Sequence, residues 1–195
     1  EALAEADGDK LALSEALGER DADGDKDMCV GESDGVIYFF QNTAATGNPA
    51  VFTYIGPVMD NSSSLPIDVG NYSTPQLVDA DRDGDLDLIV GERAGNLNYY
   101  RNTGTAVAHS FTFVSSAFGG VDVLKFNITG YSVPFLYDSA GTYRLLVGSE
   151  SSRSNSLNTG WIWRYDNIDG NLAGNFTLVD SLYKNIWEGL RMTVH

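Results

Sequence analysis

The sequence predicts an all-β chain built from about three copies of a four-stranded antiparallel unit, and three observations predict it. The stretch DADRDGDLDLIVGE at 79–92 repeats ERDADGDKDMCVGE at 19–32. A third, eroded copy follows at a period near 60 residues: Gly31, Gly91 and Gly148 align, then VIYFFQN at 36–42, NLNYYRN at 96–102 and WIWRYDN at 161–167. Finally, these aromatic segments are apolar on both faces in part, as a sheet wedged between two similar sheets requires. The units read as blades, too few to close a ring, and so as an incomplete or larger assembly.

Each unit reads in order as strand, acidic loop, strand, tight turn, aromatic strand, turn and outer strand. In the second unit the strands fall at 74–79, 86–91, 96–102 and 110–117, rich in β-branched and aromatic residues, with Gly or Asn at the breaks. Met28-Cys29-Val30 and Leu88-Ile89-Val90 are short apolar runs that stop at a glycine, the pattern of buried strands. Ile37, Leu97 and Ile162 are expected on one face of the aromatic strand, with Tyr38, Phe40, Tyr100, Trp161, Trp163 and Tyr165 on the other. Phe52-Thr53, Phe111-Thr112 and Phe176-Thr177 mark the outer strands, and Ser73-Thr74-Pro75 and Ser132-Val133-Pro134 open the next units.

The organisation predicted is a first unit over 1–70, a second over 71–130, a third over 131–186, and the start of a fourth over 187–195 at Trp187-Glu188-Gly189-Leu190. EADGDKLAL at 5–13 echoes the acidic loop too closely in sequence to be a unit of its own, and is read as a degenerate remnant. A polar insertion, 149–160, separates two strands of the third unit.

The two loops carry the chemistry. Acidic residues fall at alternate positions, with glycine at the sixth, where the chain must turn sharply. Glu19, Asp21, Asp23 and Asp27, and likewise Asp79, Asp81, Asp83 and Asp87, would supply carboxylates, while Asp25 and Asp85 would offer backbone carbonyls. This spacing wraps oxygens around one hard cation, and calcium is its natural occupant, at about two sites. An EF-hand would need a bidentate Glu at position 12, where Val30 and Val90 stand, and flanking helices in place of strands. Magnesium keeps several waters and needs fewer protein ligands. Five clustered negative charges repel strongly unless a cation neutralises them. The third copy, DSAGTYRLLVG at 138–148, is shorter and retains only Asp138, so no calcium is expected there.

Composition narrows the function. A net charge of −15 over 195 residues argues against nucleic acid or anionic membrane partners. No stretch reaches transmembrane length, and membrane insertion is not expected. The lone cysteine, Cys29, lies in an apolar strand and is read as a small buried hydrophobe. The start, EALAEADGDK, lacks the basic and apolar regions of a signal peptide, so the sequence is read as mature, internal or truncated.

Taken together, DxDxDGxxD loops followed by a VG-ending strand make the chain similar to the FG-GAP or VCBS repeats of integrin-like β-propellers, and the resemblance covers nearly its whole length. The fuller pattern of VGExxGNLxYYxNTG, FTF and YSxPxxxD looks most like repeats of large secreted proteins of Bacteroidota, many exported by the type 9 secretion system. The resemblance implies propeller blades, calcium sites, and a secreted or cell-surface location.

A search for catalysis finds little. His109 and His195 have no evident partner in the sequence, and the best-organised carboxylates are committed to metal. Sequons at Asn61, Asn71, Asn127 and Asn175 are frequent enough by chance in so Asn-, Ser- and Thr-rich a chain to decide nothing. The expectation is a calcium-stabilised extracellular binding, adhesion or display module of a larger protein, with no enzymatic activity. Its ligand would be a protein or glycan, and the rest of a longer chain or a docked partner would complete the ring. The alternative is an accessory or catalytic part of a secreted polysaccharide-degrading enzyme, since similar repeats occur in or beside such proteins.

Overall fold

Residues 26–45, 47–123, 129–150, 160–181 and 183 are described in a computed structural model, together with the backbone of 14–18. Among them the only helical element is a 3-10 turn, Phe118–Gly120. Three four-stranded antiparallel meanders follow one another. The first is β1 (Ser14–Gly18), β2 (Asp27–Gly31), β3 (Ile37–Asn42) and β4 (Phe52–Pro57). After a two-stranded hairpin, β5 (Met59–Asp60) and β6 (Leu65–Pro66), the second comprises β7 (Thr74–Val78), β8 (Asp87–Gly91), β9 (Leu97–Asn102) and β10 (Phe111–Ser115). The third comprises β11 (Val133–Ser139), β12 (Thr142–Ser149), β13 (Trp161–Asp166) and β14 (Thr177–Asp180). The described residues form no closed ring. The sequence reading of the second unit puts each strand within two residues of its observed ends. Its remnant at 5–13, most of the insertion and the start of a fourth unit lie outside the described residues.

Alternation along the strands decides which sheet faces which. Cys29, Ile37 and Phe39 of the first sheet pack with Leu88, Val90, Tyr100 and Phe111 of the second. The opposite face of the second sheet, Ile89, Leu97 and Tyr99, packs with Leu136, Leu145, Val147, Trp163 and Tyr165 of the third. The middle sheet is therefore covered on both sides, which is why all five residues of β8 are buried and β9 exposes only Arg101. Apolar burial is the main stabilising contribution in such a stack.

Two polar devices fix the spacing of the sheets. Ser73 and Ser132, both buried, stand just ahead of β7 and β11 and plug the tight turn of the preceding sheet. Ser73 Oγ accepts the Glu32 N–H at 2.9 Å and donates to Val36 O at 2.9 Å; Ser132 Oγ accepts the Glu92 N–H at 2.9 Å and donates to Asn96 O at 2.6 Å. Gln76 on β7 reaches across to β11, donating to Leu136 O at 2.8 Å and accepting the Leu136 N–H at 2.7 Å.

The hairpin β5–β6 is an addition to the sequence reading, which predicts no strand between the first unit's outer strand and Ser73. It docks along the outer strand of the next sheet: Asn61 N–H donates to Phe111 O at 2.7 Å, and Phe113 N–H donates to Asp60 Oδ1 at 3.2 Å. The 3-10 turn does the same one unit later, where Phe176 N–H donates to Gly119 O at 2.8 Å. The buried carboxylate of Asp60 holds the hairpin turn together through the Ser62 and Ser63 hydroxyls, 2.7 and 2.8 Å away.

Candidate metal centre

The loop joining β7 to β8 brings Asp79, Asp81 and Asp83 together: one carboxylate oxygen from each lies within 4.8 Å of the others. The backbone turns back on itself through Arg82 (φ 63°) and Gly84 (φ 97°), left-handed conformations for which glycine is suited and Arg82 is not. Side chains lock that path. Asp81 Oδ1 accepts the Asp83 N–H at 3.2 Å, Asp83 Oδ1 accepts the Asp85 N–H at 3.0 Å, and Asp79 Oδ2 accepts the Gly84 N–H at 3.1 Å. Asp79 Oδ1 is buried and has no hydrogen-bond partner, an arrangement that is costly unless something else satisfies the oxygen.

Asp87, the fifth acid, occupies another place. It is fully buried at the first position of β8, where its carboxylate accepts the Asn102 N–H at 2.7 Å, the Tyr99 hydroxyl at 2.8 Å and the Ala80 N–H at 3.3 Å. Three bonds leave one of its roughly four lone-pair sites free. Asn102 relays the connection onward, its Oδ1 accepting the Gly104 N–H at 3.0 Å and the Ser110 N–H at 2.9 Å in the β9–β10 turn. The first sheet repeats the relay. Buried Asp27 accepts the Asn42 N–H at 2.9 Å, and Asn42 Oδ1 accepts the Val51 N–H at 3.0 Å. Glu19, Asp21, Asp23 and Asp25 lie outside the described residues. Asp85 is half-buried, and its carboxylate stands apart from the cluster formed by the other three.

The charges of the loop respond to their surroundings unequally. Burial raises the Asp81 carboxyl above its ordinary range despite the Arg101 guanidinium, whereas the Asp85 N–H holds the Asp83 carboxyl below it. The two touch the same arginine, but Asp81 is the less exposed of the two, so loss of water outweighs the ion pair only there. Burial pushes Asp87 up to about 6, against the donors that favour its charged form.

Arg82, the loop's own cation, turns away toward the third sheet. It pairs with Asp138 and Asp169, both at 2.9 Å, and lies over the Tyr143 ring at 3.8 Å. Tyr143 hydroxyl in turn donates to the Asp79 carbonyl, and its N–H donates to Asp169 Oδ2 at 2.7 Å. Asp138, the one acid retained by the third copy, also accepts the Gly141 N–H at 2.7 Å and closes the tight β11–β12 turn. Sequence reading missed this clasp, because Asp169 lies in a loop with no counterpart in the motif.

The donor set fits a hard divalent cation. It offers three converging carboxylates, a buried oxygen lacking a partner, a fourth carboxylate with spare capacity and a glycine that lets the chain wrap. Calcium bound there would supply two positive charges and six to eight oxygen contacts. The chain's own residues do the rest: Asp79, Asp81 and Asp83 would hold the ion, and Asp87 and Asn102 tie the loop to the sheet. Away from this loop, His109 sits in the β9–β10 turn with Nε2 3.0 Å from Ala106 O, and Cys29 is buried in the core. Among the described residues no helix is long and apolar enough to cross a membrane. Compared with protein-family models, with curated proteins and with solved structures, the chain matches none.

Proposed function

We propose that the chain is a calcium-stabilised extracellular module of blade-like repeats, related to the FG-GAP or VCBS family, that serves binding, adhesion or display and not catalysis. The observation that carries the reading is the Asp79, Asp81 and Asp83 cluster with its buried, unpartnered Asp79 oxygen, set between two strands of a sheet packed on both faces. Its role would be rigidity. A cation in the loop ties β7 to β8, and the Arg82 clasp carries that order into the third sheet. Millimolar external calcium suffices for weak extracellular sites of this kind.

Calorimetry tests the reading directly. Calcium should bind at about two sites with Kd of roughly 10⁻⁴–10⁻³ M or tighter, and about 10 mM calcium should raise the melting temperature by about 5–10 °C over EDTA. Asp83→Ala and Asp23→Ala should each remove one site, whereas Asp138→Ala should leave the stoichiometry unchanged. A wild-type melting curve indifferent to calcium would overturn the structural-ion reading.

The same reading supplies a partner. Phe111 opens β10 and Phe176 directly precedes β14, at 3% and 7% exposure, covered by the preceding hairpin and 3-10 turn, but the equivalent Phe52 is 38% exposed beside Tyr54 and Ile55. The occupant proposed for this face is a further unit of the same build, from the rest of a longer chain or a docked protein. Light scattering of these 195 residues should show concentration-dependent association, weakened by Tyr54→Lys. A strictly monomeric wild type would refute it.

A further inference from the structure

We propose that Arg101 is a built-in competitor for the cation of the second loop: it holds the loop's carboxylates together when calcium is scarce and lowers the affinity of that one site. The inference rests on the calcium reading of the loop and goes beyond it. Arg101 is the next-to-last residue of β9, and its Nη2 lies 2.7 Å from Asp81 Oδ2 and 3.4 Å from Asp83 Oδ2. It thus bridges two of the three carboxylates that converge on the site. Arg82, although inside the loop, is engaged elsewhere by Asp138 and Asp169.

Two consequences follow from charge alone. Without metal, three carboxylates crowded within 4.8 Å repel, and the guanidinium offsets part of that repulsion. With metal, a unit positive charge left about 6 Å from a dication in a water-like dielectric disfavours binding by about a factor of ten, less at physiological salt. Arg101 must therefore swing out. Its side chain is 51% exposed, so it can re-enter water without a buried contact to break. In the first sheet Gln41 takes the same register, opposite Thr53 as Arg101 is opposite Thr112, and Gln41 carries no charge.

The experiment uses the full chain in an Asp23→Ala background, which leaves the second loop as the calcium site, and adds Arg101→Gln or Arg101→Lys. Glutamine is tolerated at the equivalent position, so folding should survive. Arg101→Gln should tighten calcium binding about three- to tenfold by calorimetry and, in EDTA, lower the melting temperature by about 1–3 °C. Arg101→Lys keeps the charge and should stay within about twofold of its parent in affinity. Unchanged or weaker calcium binding in Arg101→Gln, with the parent still binding, would overturn the competitor. Absence of binding in the parent would instead overturn the calcium reading, and the competitor with it.

Discussion

Asp87→Ala should lower stability by about 3 kcal/mol at pH 7 in EDTA, a fall of roughly 6–12 °C in melting temperature for a domain of this size. The substitution removes a fully buried acceptor and strands the Asn102 N–H, the Ala80 N–H and the Tyr99 hydroxyl in the space between β8, β9 and the loop. The loss should exceed that of Asp83→Ala, whose exposed carboxylate leaves no buried donor behind. The pH dependence has a definite sign. Burial raises the carboxyl from 3.8 to about 6, so the folded protein holds a proton that the unfolded chain has released. The stability this contributes is fully present below 3.8 and is lost as the pH rises through about 6. The gap between wild type and Asp87→Ala should therefore widen as the pH is lowered from 7 toward 5, by about 1.3 kcal/mol. A gap that stays constant or narrows would show that Asp87 is charged throughout.

Asp87 also marks where the sequence stops being legible. The acidic loop is plain from its spacing, and three of its residues do converge, because the backbone turn through Arg82 and Gly84 brings the carboxylates of positions 1, 3 and 5 together. Position 9 is different. Asp87 is at once the end of the loop and the first residue of β8, and the hydrogen bonds that hold it come from residues 12 and 15 positions later on the neighbouring strand. A tyrosine at 99 with phenylalanine at 39 is the trace of this in the sequence, since only the former donates to the carboxylate. The aromatic strands were readable because period-two alternation assigns Leu97 and Tyr100 to opposite faces before any partner is known. Arg101 shares the Leu97 face by that rule, yet its length and its place near the strand's end let it reach Asp81. The hairpin β5–β6 left no pattern, because two-residue strands around a polar turn have no periodicity to detect.

Gly91→Ala should cost about 3 kcal/mol or more and abolish cooperative folding at temperatures the wild type tolerates. Gly91 ends β8 at the place where the next unit begins, and a Cβ there would collide with the Ser132 carbonyl and with Thr74 Oγ1. The φ of this glycine is ordinary, so the requirement is for space and not for a left-handed backbone. Ser132 cannot retreat. Its hydroxyl bonds Glu92 N–H and Asn96 O, its own N–H donates to Glu92 O at 3.0 Å, and its carbonyl accepts from Thr74 Oγ1 at 2.7 Å. Moving the backbone by enough to admit a methyl group would break this plug and part the second sheet from the third, exposing the core around Ile89, Leu97 and Val147. Thr74→Ala combined with Gly91→Ala should not rescue the protein, because the carbonyl clash remains. Gly31→Ala should behave alike, as its Cβ would collide with the Ser73 carbonyl. Thermal melting with near-ultraviolet circular dichroism decides it. A Gly91→Ala protein within about 1 kcal/mol of wild type, with native aromatic signals, would mean that the two sheets do not approach as closely as Ser132 places them.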